Sequence, residues 1–236
     1  MKNRIEAFEF SNNDEISDIV IPENIVSIGE YAFADCKNLK NVVLPSRLEN
    51  IGKGAFRGCT SLEMITIPSE VDVIAPELFN DCVMLERINL SGNKFKSVFS
   101  SAFFNSGYYR CKKNWRSGLL YFGDWVIACD CSYDDYLVKA GTVGIAENVF
   151  CKKKSFRTVR NPEYDEMLGI MNMAIECPNM PLPDISDIPE YKEISVPIQI
   201  RYQGTTADFR NIIMTEGVCG TDVLVTASDG TFDFVL

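Results

Sequence analysis

The nine cysteines are the most reactive side chains in this 236-residue chain, and spacing divides most of them into two sets. Cys36, Cys59 and Cys82 recur at intervals of 23 residues. Cys129 and Cys131 form a C-x-C pair, with Cys111 before it and Cys151 after it. Metal ligation, redox exchange and disulfide formation all use such residues. Zinc takes four ligands, usually in close C-x-x-C pairs, and neither set provides them. A column at constant interval is what a repeating core produces, and cysteine packs as a small buried hydrophobe. The 23-residue column therefore reads as core, and no metal or cofactor site is expected. Without an export signal the default for all nine is the reduced thiol; a disulfide is the alternative in an oxidising location.

The chain has no histidine. It therefore lacks the usual general base near neutral pH, and Cys/His and Ser/His catalysis are excluded within it. Carboxylates remain, but no paired constellation is visible among them, and a non-enzyme is expected. With 33 acidic and 23 basic residues the formal net charge is -10. Such a surface repels phosphate backbones and anionic lipid, so nucleic acid is not an expected partner. Hydrophobic residues at 46% and charged residues at 24% are ordinary for a globular protein. No stretch approaches the ~20 apolar residues that span a bilayer, and MKNRIEAFEF has no apolar core of signal-peptide length. The expectation is a cytoplasmic location if this chain is complete, and a secreted or cell-surface one if a leader was removed.

The elements that position these residues are set by the 23-residue period, which is plain from Ile16 to Ser91. Ile16, Leu39, Leu62 and Leu85 form one column; Ile19, Val42, Ile65 and Ile88 a second; Ile21, Leu44, Ile67 and Leu90 a third. Pro22, Pro45 and Pro68 follow. Then come Ile25, Leu48 and Val71, next Ile28, Ile51 and Ile74, and last Phe33, Phe56 and Phe79. The register extends back to Ile5 and Phe10. Alternation at Val42 and Leu44 is a strand signal, and the proline stops it. A second short extended segment carries Leu48 and Ile51. EYAFADC and GAFRGC then read as short helical turns that aim one phenylalanine inward. No single line buries this stripe alone, so identical lines must stack. About six inward residues per coil, at ~1.5–3 kcal/mol each, drive the stacking.

After Leu90 the register slips by one residue, through Phe95, Val98, Ala102 and Phe103. The pattern then breaks and recovers at Ile145 and Phe150, with Phe156, Val159 and Pro162 matching Leu39, Val42 and Pro45. Phe103 to Phe150 is 47 residues, two coils plus one, so the break is one atypical coil at about residues 104–136. Within it LLYFGDWVIA reads as a hairpin turning at Gly123-Asp124. It also gathers Tyr108, Tyr109, Arg110, Lys112, Lys113, Trp115 and Arg116. Such residues dominate binding hot spots, so they are either a contact patch or aromatics covering the flank. The cluster Lys152, Lys153, Lys154, Arg157 and Arg160 reads as a solvated face, or as a contact for an anionic partner.

The domain organisation expected is a solenoid over 1–162, followed by 163–236 as helix, linker and capping strands that continue it. PEYDEMLGIMNMAI (162–175) reads as the helix. IQIRYQGTTADFRNI reads as a strand leading into a short helix, and DVLVTASDGTFDFVL as a hairpin around Asp229-Gly230. A solenoid needs such a terminal cap, because its last coil otherwise exposes core.

The lines IPENIVSIGEYAFADCKNLKNVVLP and LPSRLENIGKGAFRGCTSLEMITIP resemble the BspA-like (Treponema pallidum-type) leucine-rich-repeat family. NWRSGLLYFGDWVIA with YLVKAGTVGIAENVF resembles a repeat-like insert of that family, and IQIRYQGTTADFRNI its terminal segment. The resemblance implies an α/β-type leucine-rich-repeat solenoid, curved and right-handed, with short parallel strands and short helical turns. It also implies adhesion or protein binding, largely at bacterial cell surfaces, with no catalytic residues.

In the strands, alternate residues must face out. The outward columns are Ser17, Lys40, Glu63 and Glu86; Asp18, Asn41, Met64 and Arg87; and Val20, Val43, Thr66 and Asn89. They are mixed in type, unlike the inward columns. This face, together with Tyr108, Tyr109 and Trp115, is the expected contact for a protein partner; an ordinary solvated sheet face is the competing reading. The alternative function is an enzyme or small-ligand protein using the atypical coil or the C-terminal region.

Overall fold

The computed structural model describes residues 2–130, 133, 135–147, 149–150, 155–160, 191–196, 198–214 and 222–235. They group into two compact units: Met1–Lys152 with Gln199–Leu236, and Lys153–Ile198. The helix expected at 162–175 and the lysines at 152–154 lie outside the described residues.

The first unit is a solenoid. Its first ladder stacks Asp18–Val20, Asn41–Val43, Met64–Ile67 and Arg87–Leu90 in parallel. Each residue meets its own copy 23 positions on, as at Asp18 and Asn41. The alternation in sequence becomes alternation in burial: Ile65 and Ile67 are buried while Met64 and Thr66 are exposed. A second ladder stacks Arg4–Ile5, Ser27–Ile28 and Asn50–Ile51. Its continuation, Val73–Ile74 with Ser97–Val98, is a separate ladder. A packing constraint accompanies this break. A Cβ on Gly29 would sit 2.5 Å from the Ala7 nitrogen, and one on Gly52 2.6 Å from the Glu30 nitrogen. At the next copy of that position stands Ala75, whose Cβ cannot be accommodated at such a distance, and there the pairing is interrupted.

The third side differs from the expected helical turn. Phe8, Tyr31, Gly54 and Glu77 have positive φ, and so do Asn12, Asp35, Gly58 and Asp81 four residues later. A left-handed residue at every fourth position forbids a continuous right-handed helix. The backbone instead bonds from coil to coil. Tyr31, Phe33 and Asp35 donate their N–H groups to the carbonyls of Lys53, Ala55 and Arg57. Phe8, Phe10 and Asn12 do the same one coil earlier, and Gly54, Phe56 and Gly58 one coil later. This side is thus hydrogen-bonded as a ladder although it contains no strand.

Inside, the phenylalanine column is a stack of near-parallel rings, with centroids 5.1 Å apart at Phe10–Phe33, 5.4 Å at Phe33–Phe56 and 6.3 Å at Phe56–Phe79. The cysteine column runs beside it as core. The Sγ atoms of Cys36, Cys59 and Cys82 lie 3.0, 3.1 and 2.9 Å from the carbonyl oxygens of Phe10, Phe33 and Phe56. Ser106 takes the next place in the column and caps the short helix Gly107–Arg110.

The one-residue slip is absorbed at Asn93, whose side-chain amide donates to the carbonyls of Pro68 and Val71. Beyond it the Phe79–Phe103 pair tilts to 45°, and Phe103 turns toward Phe122 at 4.8 Å. The hairpin expected in the atypical coil is present. Leu119–Phe122 pairs antiparallel with Trp125–Cys129, and Trp115–Arg116 adds an outer strand. Trp125–Cys129 then pairs in parallel with Gly144–Ile145 and so rejoins the repeat. The buried Glu147 ties this return to the earlier coil, accepting the N–H groups of Ser100 and Ser101 at 2.8 and 3.2 Å.

In the C-terminal part, Ile198–Tyr202 runs parallel to Asp135–Val138, and Ile213–Met214 parallel to Gly144–Ile145. Between them the helix Thr206–Arg210 starts with a capping box of Thr205 and Asp208. Asp222–Ala227 and Gly230–Val235 form a hairpin. In the second unit, Ser155–Arg160 pairs antiparallel with Tyr191–Val196. Phe156 and Val159, matched in sequence to Leu39 and Val42, stand in this strand.

Candidate binding surfaces

The outer face of the first ladder carries every outward column on its exposed side: Ser17, Lys40, Glu63 and Glu86; Asp18, Asn41, Met64 and Arg87; Val20, Val43, Thr66 and Asn89. The columns are ordered by contacts with their own copies. The Asn41 amide donates to Asp18, and Asn89 lies 3.4 Å from Thr66 Oγ1. The bonds from Asn41 and then Ser17 hold the Asp18 carboxyl below its ordinary range. Between the polar positions lies an apolar run: Val20 is 73% exposed, Val43 55% and Met64 42%. Val43 and Met64 border a groove of about 470 Å3 that reaches Ser46, Thr66 and Pro68. A strand face ordinarily places polar residues outward, and these three large apolar residues depart from that pattern on the stacked face.

The helix Gly107–Arg110 packs beside Arg87–Leu90, where a fifth strand would stand. Gly107 permits this, since a Cβ there would lie 2.9 Å from the Leu85 backbone. The aromatic group that follows divides. Tyr108 belongs to the packing: its hydroxyl donates to the Tyr121 carbonyl, its ring meets Phe103 and Phe122, and burial pushes the phenol up to about 12. Tyr109 and Trp115 meet edge to face at 5.4 Å, and the indole N–H donates to the Tyr109 carbonyl at 2.7 Å. Both line an open cavity of about 600 Å3 together with Lys112, Cys129, Asp130 and Tyr133.

Sequence reasoning missed Tyr133 and Asp130. Tyr133, 50% exposed, lies over Gly118, where a Cβ would come 2.9 Å from its ring. Asp130 donates its N–H to the Gly118 carbonyl at 2.7 Å. The signal was available: a hairpin centred on Gly123-Asp124 returns Asp130 to Gly118. Cys131 and Cys151 lie outside the described residues. Among those described, no group of three or more His, Cys, Asp or Glu side chains gathers as a metal site, and no helix is long and apolar enough to cross a membrane.

Residues 3–113 match the model of the BspA type leucine rich repeat region in six copies. This stretch of the chain is a BspA-type leucine-rich-repeat region. The matched stretch holds the first ladder, the thiol column and Tyr108 and Tyr109, and it ends before Trp115. Solved structures similar to the chain are themselves leucine-rich-repeat proteins. A leucine rich cell surface protein from Faecalibacterium prausnitzii A2-165 is 34% identical over 44% of this chain and 27% of its own, with a TM-score of 0.41. The T. pallidum leucine rich repeat protein is 26% identical over 40% of this chain and 50% of its own, with a TM-score of 0.35. A leucine-rich repeat protein from Bacteroides ovatus ATCC 8483 is 16% identical over 90% of this chain and 38% of its own, with a TM-score of 0.42. The chain thus spans half or less of the length of each of these proteins. None of the curated proteins matches it.

Proposed function

We propose that the chain is a non-catalytic scaffold that binds a protein partner through the outer face of the first ladder. The observation that carries this reading is the exposed run Val20, Val43 and Met64 on a face whose backbone is fixed by coil-to-coil pairing. A rigid surface loses little entropy on binding, and the mixed columns around the run supply a polar rim. Lys40, Asn41, Glu63, Thr66, Glu86, Arg87 and Asn89 form that rim. Tyr109 and Trp115 extend the contact beyond Arg87, and Tyr108 supports them from behind. In the same reading, the strands of 199–235 act as the cap of the solenoid.

The test is capture of a partner from the native source by the immobilised full chain, compared across variants. Val43→Asp, and Lys40→Glu with Arg87→Glu, should weaken binding of the captured protein at least tenfold. Unchanged binding by both variants would exclude this face. A second reading, a small-ligand protein, is favoured by the aromatic cavity at Tyr109, Trp115 and Tyr133. It predicts that Trp115→Ala alone abolishes binding while the ladder variants are silent.

A further inference from the structure

We infer that the atypical coil holds a binding site for a small tetrahedral oxyanion, a phosphate or a sulfate, in a cavity that shares only Tyr108 with the residues proposed above. The segment Lys112–Arg116 separates two cavities. Lys112 and Trp115 line the aromatic one, whereas Lys113, Asn114 and Arg116 line the other, which also takes in Tyr121 and Lys139. This second cavity is about 220 Å3. That is below the ~300–1,000 Å3 of sites for drug-sized molecules, and suits a compact ion.

Three cations and no carboxylate line this cavity, in a chain whose net charge is -10. Lys139 is balanced by Asp124 at 3.0 Å. Lys113 and Arg116 make no ion pair among the described residues, so two positive charges face the space uncompensated. The walls that hold them are fixed. Trp115–Arg116 is paired as a strand with Leu119 and Leu120. Tyr121 is buried, its hydroxyl accepts the Lys139 N–H at 3.2 Å, and the Lys139 ammonium stands 5.0 Å over its ring. The Asn114 amide donates to the Tyr108 carbonyl at 3.0 Å, which fixes the turn carrying Lys113. A guanidinium fork beside an ammonium is the donor set that recognises a tetrahedral oxyanion by charge-assisted hydrogen bonds.

The ion is either free or carried as an ester on a sugar, and the experiment separates the two. Calorimetric titration of the full chain would use sodium phosphate, sodium sulfate and glucose 6-phosphate, with sodium chloride at matched ionic strength as the reference. Saturable binding beyond chloride is expected, at least tenfold weaker in Arg116→Gln and in Lys113→Gln and unchanged in Lys37→Gln, an exposed cation outside both sites. Both substituted side chains are exposed, so circular dichroism should show the variants folded. Binding of the inorganic ions identifies a free-ion site; binding of the sugar ester alone identifies a site for the carried group. No binding beyond chloride, or equal binding by Arg116→Gln and Lys113→Gln, overturns the inference. The residues are separate from those of the ladder face, so failure of one reading leaves the other standing.

Discussion

The thiols of Cys59 and Cys82 are fully buried because of where the period puts them. Burial raises the pKa of both, and Cys82 is pushed up to about 12. An unfolded cysteine ionises near pH ~8.5. The folded chain therefore keeps its protons where the unfolded chain loses them. The stability this contributes is fully present below pH ~8.5 and is lost as the pH rises toward the folded values. Tyr108, also at about 12, acts in the same direction from pH ~10 upward. Urea midpoints should hold up to about pH 8.5 and fall progressively above it. At pH 8, a disulfide reagent should modify Cys59 and Cys82 only on unfolding; rapid labelling of either in the native protein would contradict the burial argument. The column was legible as core from its spacing alone. The contact of each sulfur with a phenylalanine carbonyl of the preceding coil was not, because it depends on the stacking offset.

At the scale of the element, the strands follow directly from alternation and proline, and the turn does not. EYAFADC has residues compatible with a helical turn, yet the N–H groups of Tyr31, Phe33 and Asp35 serve the next coil, while those of Ala32, Ala34 and Cys36 close local turns. A sequence signal for this existed at one of the two left-handed columns. Asn12, Asp35, Gly58, Asp81 and Asn105 are the residue types that tolerate positive φ. The other column, with Phe8, Tyr31 and Glu77, hides it, since stacking imposes that conformation against local preference. The second ladder carries a sharper constraint. Gly52→Ala places a methyl group against the Glu30 backbone and should cost about 1–3 kcal/mol, the range for overpacking a tight site. Chemical denaturation would check this, and a variant as stable as the parent would mean that neighbouring coils separate freely at this position.

For the molecule as a whole, stability in a stacked array is local, each coil depending on its neighbours. Hydrogen exchange should therefore be slower at Met64–Ile67, flanked by coils on both sides, than at Asp18–Val20, which forms the ladder edge. Equal protection would mean that the ladder opens as one unit. The repeat, its one-residue slip and its recovery at Ile145 were all readable, because each is a matter of counting. What lies between was less so. The aromatic residues from Tyr108 to Trp115 are one cluster in sequence but divide between core packing and cavity wall in space. Only the path of the hairpin assigns them.

The turn side has an electrical consequence. Tyr31, Phe33 and Asp35 donate toward later coils, while the carbonyls joined to them, those of Glu30, Ala32 and Ala34, accept from the coil before. Each of these peptide units points along the stacking axis in the same sense, and the next coil repeats it. Three chains of linked amides thus run side by side, as they do in an α-helix, and their dipoles add. The amide-hydrogen pole faces the later coils and the carbonyl pole the earlier ones. One side of this solenoid behaves as a long helix laid across its own repeats, favouring anions toward one end and cations toward the other.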